Sequence, residues 1–367
     1  MEEKLEQRIR EAVGRIVDPE IGKTLGELNM IRGITSKDGA VHIRIALTVR
    51  GCPLASRFED EVKRAVTSVV GNGVPVSVEF LEMSAAERES LAQELRRERS
   101  LSAQETPSGI AQELNRIDHV IAVMSGKGGV GKSVTTALLA VGLRRKGYRV
   151  GILDADITGS SIPRLFGVTR HPQTGFGAVI PIRTRTGLYV MGLNLLLENE
   201  DQPVVWRGPL IAGAIKQFWQ DVLWGELDYL LIDLPPGTSD APLTVLQQLP
   251  TNGVLLVTTP QDLAAMIVRK AVRMVELLEK PILGIIENMS YFLCPQCGTR
   301  HELFGPSQAF KVATMADVPI VARLPIDPQL PLLCDAGRIE EYSSPEADRM
   351  AAVITELVHE RVHAKEP

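Results

Sequence analysis

Residues 119–133 read HVIAVMSGKGGVGKS, and the rest of the chain is interpreted from this stretch. The apolar run Val120–Met124 predicts a buried strand, and the glycines that follow predict a loop ending in a new helix. The spacing Gly126-x4-Gly131-Lys132-Ser133 lets backbone N–H groups turn onto phosphate oxygens beside a helix N-terminus. Lys132 is then placed for the β- and γ-phosphates, and the Ser133 hydroxyl for Mg²⁺. The stretch predicts a nucleoside triphosphate site.

The residues expected to contact ATP form one continuous run. They are Gly126, Lys127, Gly128, Gly129, Val130, Gly131, Lys132, Ser133 and Val134. Lys127 is unusual inside such a loop, because it provides a second lysine for one triphosphate. Two ammonium groups close together repel unless an anion lies between them. A second phosphate-directed role is therefore predicted for Lys127, with a solvent-exposed lysine as the alternative.

The composition is that of an ordinary globular chain. Its 367 residues are enough for two domains, and 44% hydrophobic with 23% charged residues is usual. A net charge of −5 gives no bulk support for nucleic-acid binding. Four cysteines do not make a disulfide framework, and neither a signal peptide nor a membrane-spanning run is recognisable. A cytoplasmic protein whose thiols stay reduced is expected.

From Ile117 onward, strand patterns alternate with helical patterns, which is typical of an α/β domain. Seven strand candidates are apolar on both faces: Val120–Met124, Val150–Asp154, Leu188–Gly192, Tyr229–Asp233, Gly253–Thr258, Ile282–Asn288 and Ile320–Leu324. They predict a mostly parallel sheet covered by helices on both faces, with a closing helix at Pro345–His363. We expect a P-loop NTPase domain over residues 116–367, with its ligands at the carboxyl ends of the strands.

A smaller domain is predicted ahead of it. Residues 1–84 show the order helix, strand, strand, helix, strand, in which Ile31–Ile34 and Val41–Val49 form a hairpin. This order predicts a small α+β domain. Residues 85–115 lack an apolar face wide enough for a core, and they predict a charged helix and a linker.

Carboxylates follow two of the predicted strands. Asp154-Ala155-Asp156 ends one strand and Asp233 ends another, before Leu234-Pro235-Pro236-Gly237. An acidic side chain at this edge of the sheet can hold Mg²⁺ or position an attacking water. We predict Lys127, Lys132, Asp156 and Asp233 as catalytic residues, and Ser133 and Asp156 as Mg²⁺ ligands. The role of Asp154 stays open.

Two further features follow the sixth strand candidate. The Asn288 amide offers a donor and an acceptor to an adenine edge, although an Asn that caps the next turn has the same pattern. Cys294 and Cys297 form a Cys-x-x-Cys pair that can bind one metal ion or one edge of a cluster. Both zinc and iron–sulfur sites usually take four ligands, so a symmetric dimer would complete the set. His301 keeps zinc within one chain as an alternative.

Taken together, these motifs resemble those of a known protein family. The matching residues are Gly126–Ser133 with Lys127, Asp154–Ile157, Val205–Pro209, Trp224–Tyr229, Asp233–Asp240, Glu287–Ser290 and the pair Cys294 and Cys297. They resemble the Mrp/ApbC family of iron–sulfur cluster carrier ATPases, a branch of the MinD/ParA-type deviant Walker A proteins. Two positions depart from the family pattern, with Ser160 where Pro is usual and Ser239 where Gly is commoner. Residues 1–84 resemble the PaaD/SufT-type domain through Asp18-Pro19-Glu20, Leu47-Thr48 and Gly51-Cys52-Pro53.

The resemblance implies a homodimer that binds ATP between protomers, with Lys127 reaching the nucleotide of the other protomer. It also implies slow ATP hydrolysis and a bridging [4Fe–4S] cluster held by Cys294 and Cys297 of both chains. The cluster would come from scaffold or donor proteins and pass to apoproteins, with no nucleic acid and no membrane involved. Two alternatives are a MinD/ParA-like positioning ATPase and a zinc-dimerised nucleotide switch. The mixed charges of residues 356–367 speak against a membrane anchor.

Overall fold

The structure is a computed structural model, and it describes residues 2–18, 23–37, 40–47, 55–71, 73–84, 86–87, 111, 114–156, 159–175, 178–196, 208–237 and 240–363. Some features named above lie outside the described residues. They are Pro19-Glu20, Thr48, Gly51-Cys52-Pro53, most of the linker 85–115, Ile157, Val205–Arg207 and Ser239. Two compact units are present. The first comprises Met1–Asn115, Gln173–Ile180 and Gln220–Gly225, and the second comprises Arg116–Pro172, Pro181–Trp219 and Glu226–Pro367.

The elements are numbered here in chain order. Up to residue 115 they are α1 (Glu2–Gly14), β1 (Val17–Asp18), β2 (Lys23–Thr24), β3 (Ile31–Lys37), β4 (Ala40–Leu47), α2 (Ala55–Val70) and β5 (Val76–Glu82). From residue 116 they are β6 (Arg116–Ser125), α3 (Lys132–Arg145), β7 (Val150–Asp154), α4 (Ile162–Leu165), β8 (Gln173–Gly175), β9 (Ala178–Ile180), β10 (Ile182–Arg183), β11 (Tyr189–Gly192), α5 (Gly208–Asp221), β12 (Glu226–Asp233), α6 (Asp240–Gln248), β13 (Gly253–Thr258), α7 (Asp262–Leu277), β14 (Ile282–Leu293), β15 (Arg300–His301), α8 (Ala309–Ala316), β16 (Ile320–Ile326), α9 (Gln329–Asp335) and α10 (Pro345–His363). Two short 3₁₀ helices span Leu193–Leu196 and Ile339–Glu341.

The first unit contains the predicted α+β arrangement. Strand β4 pairs antiparallel with β3 and parallel with β5, and α1 and α2 pack on this sheet. Along β4, Val41, Ile43 and Ile45 are buried while His42 and Arg44 are exposed, so one face of the strand meets the core. The predicted hairpin is confirmed. The short antiparallel pair of β1 and β2 was not predicted, because two-residue strands have no periodicity to read.

The second unit is organised by a nine-stranded sheet. Its order is β10-β11-β7-β12-β6-β13-β14-β15, and β16 pairs with β14. All seven predicted strands are present and pair in parallel, while β10 and β15 add antiparallel pairs that were not predicted. Consecutive residues from Val120 to Ser125 are all buried, so both faces of the central strand β6 are covered. The mostly parallel α/β sheet is confirmed.

Three neighbouring strands of this sheet end at one edge. Strand β12 lies between β6 and β7, and its last residue, Asp233, is in register with Val123 of β6 and Asp154 of β7. The phosphate loop leaves β6 two residues beyond Val123. The fold therefore brings the loop and both predicted carboxylate positions to one place, although Asp233 is 100 residues beyond Ser133 in sequence. No helix in the described part of the chain is long and apolar enough to cross a bilayer.

Candidate functional site

The loop Gly126–Gly131 depends on its glycines at two positions. Gly129 and Gly131 have φ angles of 78° and 77°, a left-handed conformation that disfavours any residue with a Cβ. At Gly131 an added Cβ would also lie 2.2 Å from Nδ2 of Asn288. Helix α3 begins directly after Gly131, which offers no side-chain cap to the first amides. The first backbone N–H groups of this helix can therefore donate hydrogen bonds to a bound anion.

A buried ion pair joins the loop to the end of β12. Lys132 Nζ lies 2.7 Å from Asp233 Oδ2, and the two side chains are 6% and 0% exposed. Ser133 Oγ donates to the same oxygen at 2.6 Å. Thr136 Oγ1 donates to the other carboxylate oxygen at 2.8 Å. The structure thus brings together three predicted site residues, with Thr136 added one helical turn after Lys132.

Thr136 was missed by the sequence reasoning. It stands four residues after Lys132 on α3, so the two side chains share one face of that helix. A buried Thr at this spacing from the loop lysine is a signal that could have been used. Its hydroxyl also contacts the Lys132 carbonyl oxygen at 3.0 Å, as the second acceptor available to it.

The Asp154 carboxylate accepts hydrogen bonds from the turn that follows β7. One of its carboxylate oxygens accepts from Ser160 Oγ at 2.8 Å and from the N–H groups of Ser161 and Ile162, each at 2.9 Å. Burial and the nearby charge of Asp233 raise the Asp154 pKa from 3.8 to about 7. A proton is then held more tightly in the folded protein than in the unfolded chain. The free energy of unfolding should fall as the pH rises from about 4 to about 7.

Asp156 lies two residues further along the same turn. Its side chain is 9% exposed, and its Oδ1 accepts from the N–H of Gly159 at 3.1 Å. Its own N–H donates to Asp154 Oδ1 at 3.1 Å, while the intervening Ala155 N–H donates to the Asp233 carbonyl oxygen at 2.9 Å. The two carboxylates therefore differ in surroundings. Asp154 is enclosed by its own turn, and Asp156 remains the more accessible of the two. Ser160, one of the two departures from the family pattern, contributes a hydrogen bond to this turn.

Lys127 contacts a residue beyond β13. Its Nζ donates to Gln261 Oε1 at 3.2 Å, and Thr259 Oγ1 donates to the same oxygen at 2.5 Å. The Lys127 carbonyl oxygen accepts from Ser125 Oγ at 3.0 Å. The Lys127 side chain therefore does not join the Lys132–Asp233 ion pair, and its ammonium group lies near the residues that follow β13. The predicted role of Lys127 on a second nucleotide stays a prediction.

Asn288 is placed against the phosphate loop by β14. Its Nδ2 donates to the carbonyl oxygen of Val130 at 2.9 Å, and the side chain is 7% exposed. The predicted contact with an adenine edge stays a prediction, since the amide here holds the loop backbone. The next residue, Met289, has a left-handed φ of 53°, and the register of β14 with β16 shifts in this region. Such a bulge redirects the strand without ending it.

The cysteine pair lies on a tight turn between β14 and β15. The Cys294 N–H donates to the Thr299 carbonyl oxygen at 3.0 Å, and the Gly298 N–H donates to the Cys294 carbonyl oxygen at 2.8 Å. Cys294 is partly buried and Cys297 is exposed. Cys297 Sγ lies 3.2 Å from Thr299 Oγ1. Hydrogen bonds with Thr299 and with Cys294 lower the Cys297 thiol pKa, which favours the thiolate that binds metal.

His301 does not join these cysteines in a metal site. It is exposed on β15, where it pairs with Phe292 of β14. Within the ranges that the structure describes, no group of three or more His, Cys, Asp or Glu side chains is arranged to hold a metal ion. The zinc site within one chain, proposed as an alternative from the sequence, is therefore not formed here.

Two family models match the chain. One, described as NUBPL iron-transfer P-loop NTPase, matches residues 116–360, and the other, described as iron-sulfur cluster assembly protein, matches residues 6–78. An iron-sulfur cluster carrier protein of Mycobacterium tuberculosis is 39% identical over 351 residues, which cover 94% of this chain and 90% of the relative. One of Clostridium perfringens is 43% identical over 64% of this chain and 86% of the relative.

A solved structure is also similar. The nucleotide-binding protein of Archaeoglobus fulgidus, in complex with ADP, is 49% identical in sequence and superposes with a TM-score of 0.57. The match covers 63% of this chain and 90% of that one. The sequence identity and the shared fold agree with the family match over the second unit.

Proposed function

This chain belongs to the family of NUBPL-type iron-transfer P-loop NTPases, whose relatives include the iron–sulfur cluster carrier proteins, and from this premise we propose an ATP-dependent carrier. The carrier would hold a [4Fe–4S] cluster between two copies of the chain and pass it to apoproteins. The observation that most directly supports this proposal is that one strand, β14, contacts the phosphate loop at Asn288 and ends immediately before Cys294. Six residues of strand span roughly 20 Å, so a change at the loop has a short covalent route to the thiols.

A dimer is proposed from the ligand count. Each chain presents two thiols on one hairpin, whereas a [4Fe–4S] cluster takes four. Exposed apolar side chains flank the hairpin: Leu293 is 47% exposed, Leu303 60% and Phe304 41%. Such side chains favour burial against a second protein surface. Two hairpins facing each other would complete the thiolate set and cover these side chains.

The nucleotide end supports ATP hydrolysis with Mg²⁺. Ser133 Oγ and an Asp233 carboxylate oxygen are 2.6 Å apart, and hard oxygen donors of this kind suit Mg²⁺ together with phosphate oxygens and waters. When bound, Mg²⁺ neutralises charge on the phosphates. Lys132 would move from Asp233 to the phosphates. Asp156 is proposed as an Mg²⁺ ligand, directly or through water, and Lys127 as the residue that reaches a nucleotide across the dimer.

The phosphate loop also contacts the segment that follows Asp233, and this contact could change when the γ-phosphate leaves. Pro236 lies beside Gly128, and the N–H of Gly237 donates to the Ser125 carbonyl oxygen at 2.9 Å. The stiff Pro235-Pro236 pair connects Asp233 with this contact. We propose that release of the γ-phosphate moves this segment as a unit and so alters how tightly two protomers enclose the cluster.

Residues 1–84, 85–115 and 116–367 are the proposed domains, and the match of residues 6–78 to an iron-sulfur cluster assembly model supports a role of the first in the same process. Scaffold or donor proteins and apoproteins are the proposed partners, with no nucleic acid and no membrane. A pair of reduced thiols that binds a labile cluster suits the reducing cytoplasm.

The test is the metal content of protein reconstituted without oxygen. About four iron and four sulfide per dimer are expected, and Cys294→Ala with Cys297→Ala should abolish them while ATP binding persists. Cys334→Ala is the matched control, because this partly buried thiol lies on α9, and it should keep the full cluster. Retention of the cluster by the double variant would refute the assignment, and stoichiometric zinc without sulfide would favour the zinc-dimerised switch.

A further inference from the structure

Glu287 is a fully buried carboxylate that the chemistry described so far leaves without a role. It lies on β14 next to Asn288, and its side chain is 0% exposed. Burial of a charged group is costly unless hydrogen bonds and a counter-charge compensate for it. The groups that compensate for it here come from three segments, which meet at the base of the cysteine hairpin, residues 291–306. In this hairpin residues 291–293 form the outgoing arm and residues 300–306 the returning arm.

The two carboxylate oxygens of Glu287 hold different segments. Oε2 accepts from Ser290 Oγ at 2.6 Å and from Arg323 Nε at 3.1 Å. Oε1 accepts from Ser307 Oγ at 2.8 Å and from the N–H of Ala309 at 3.2 Å. Ser290 directly precedes the outgoing arm, and Ser307 directly follows the returning arm. One carboxylate therefore joins both ends of the hairpin.

The returning arm leads into α8 at this carboxylate. Ala309 is the first residue of α8, and Gln308 before it provides no side-chain cap. A carboxylate that accepts from an N–H of the first turn compensates for the positive end of the helix dipole. The Ser307 hydroxyl also accepts from the Ala309 N–H, at 3.3 Å. Glu287 thus positions the start of α8 and, with it, the end of the hairpin.

The pairing of β14 with β16 is irregular at the same place. Glu287 pairs with Arg323 and Tyr291 pairs with Pro325, and the register shifts between these two pairs. A bulge of this kind interrupts the ladder, so main-chain hydrogen bonds fix the segment less firmly than in a regular strand. The Glu287–Arg323 ion pair links the two strands where the interruption begins.

The hairpin itself has little packing that could fix its direction. Every residue from Leu293 to Phe304 is exposed except Cys294, which is partly buried. Strand β15 adds only two residue pairs with β14. The direction of the thiols is therefore determined at the base of the hairpin. There the outgoing arm pairs with β16, and Glu287 holds the residue that follows the returning arm.

The same segment of β14 contacts the phosphate loop. Asn288 Nδ2 donates to the Val130 carbonyl oxygen at 2.9 Å, and the same nitrogen lies 2.2 Å from the position of a Cβ added at Gly131. This contact is close enough that a movement of the loop towards β14 displaces Asn288. Because Glu287 and Asn288 are consecutive, the displacement reaches the carboxylate and, through it, both arms of the hairpin.

We propose that Glu287 is a positioning residue for the cluster thiols, which holds the two arms of the cysteine hairpin and makes their position depend on the phosphate loop. The proposal rests on the carrier function proposed above. It assigns the transmission between nucleotide and cluster to one buried carboxylate.

The test measures hydrogen exchange of cluster-free protein by mass spectrometry. Ser307→Ala removes the hydroxyl that joins the returning arm to Glu287. The amides of residues 300–305 should then exchange roughly tenfold faster, because a hydrogen bond to a charged group is lost. In wild type, saturating ADP should slow these amides roughly threefold. In Ser307→Ala this effect of ADP should vanish while the Kd for ADP stays unchanged. Glu287→Gln keeps the shape without the charge, and it should speed exchange in both arms.

Two variants are controls. Thr355→Val deletes a hydroxyl that donates to the Ala352 carbonyl oxygen within α10 at 2.6 Å, and Ser307→Thr keeps the hydroxyl that contacts Glu287. Both should exchange as wild type does. Equal exchange of the returning arm in Ser307→Ala and wild type would overturn the proposal. So would an ADP effect that persists in Ser307→Ala or is missing from wild type, because a merely structural anchor would speed exchange without altering the response to ADP.

A second measurement uses the reconstituted cluster. A ferrous-iron chelator should remove iron roughly five times faster from Ser307→Ala than from wild type, after equal initial loading. Equal rates of removal would show that Glu287 does not position the thiols. Wild type that takes up no iron or sulfide would refute the carrier function instead, and the exchange experiment, which needs no cluster, would still decide the role of Glu287.

Discussion

Replacing Asp233 with Asn should destabilise the second unit and make its stability depend more strongly on nucleotide. Asp233 and Lys132 are both buried and 2.7 Å apart, so the variant leaves an ammonium group without its counter-charge. Removal of one partner of a buried pair costs roughly 3–5 kcal/mol of unfolding free energy. Hydrogen bonding can adapt, because the Asn oxygen can face Lys132 and Ser133. The Asn NH2 group then donates to Thr136 Oγ1, and the Thr136 hydroxyl donates to the Lys132 carbonyl oxygen.

The neighbouring carboxylate reduces this cost. The charge of Asp233 raises the Asp154 pKa, so its removal relieves an unfavourable interaction. We therefore expect the lower end of the range, about 3 kcal/mol. For a domain of this size that corresponds to a fall in melting temperature of about 6–12 °C.

ADP should restore much of the lost stability. Its phosphates supply the negative charge that Lys132 lacks in the variant, whereas in wild type they must first compete with Asp233. Scanning calorimetry with and without saturating ADP, without Mg²⁺, measures both effects, and the transition that ADP shifts identifies this unit. The increase in melting temperature caused by ADP should be larger for Asp233→Asn than for wild type.

The control removes a hydrogen bond that a neutral hydroxyl donates to the same carboxylate. Thr136→Val keeps the shape and loses the 2.8 Å contact, so it should cost about 1.5–3 kcal/mol and leave the effect of ADP unchanged, because the charge of Asp233 remains. If Asp233→Asn and wild type have the same melting temperature, or if ADP raises both melting temperatures equally, the Lys132–Asp233 ion pair does not stabilise the phosphate loop.

Three further outcomes test other parts of the site. Asp154→Asn removes the carboxyl group whose pKa is raised to about 7. The unfolding free energy of the variant, measured by urea titration, should therefore decrease less between about pH 4 and about pH 7 than that of wild type. An unchanged slope would place that proton elsewhere. Thr299→Val should slow alkylation of Cys297 by iodoacetamide at neutral pH, measured by mass spectrometry, because the hydroxyl that lowers the thiol pKa is lost; equal rates would contradict this cause. Gly131→Ala should abolish ADP binding in calorimetric titrations, since the added Cβ would lie 2.2 Å from an amide nitrogen. Gly129→Ala is its control, with the same left-handed φ but no atom within 4 Å, and it should lose only about 1 kcal/mol of stability. Tight binding by both glycine variants would show that the loop is looser than its geometry indicates.

The sheet of the second unit was predictable because its strands are buried on both faces. Such strands read as continuous apolar runs, and Val150–Asp154 and Gly253–Thr258 begin and end where the pattern predicts. The closing helix Pro345–His363 also agrees with its prediction. Strand β14 is longer than predicted, since Asn288 resembles a strand end in sequence. The bulge at Met289 lets the strand continue to Leu293.

The sequence by itself determined that a phosphate loop, two acidic strand ends and a cysteine pair are present, because each is a local pattern whose spacing states its chemistry. Only the tertiary structure decided how they divide their tasks. Asp154 and Asp156 look alike in sequence, yet one is enclosed by the turn after β7 and the other is more accessible. Asp233 meets Lys132, and Asn288 meets Val130, across more than 100 residues of chain. Such contacts depend on strand order and register, which no local pattern contains.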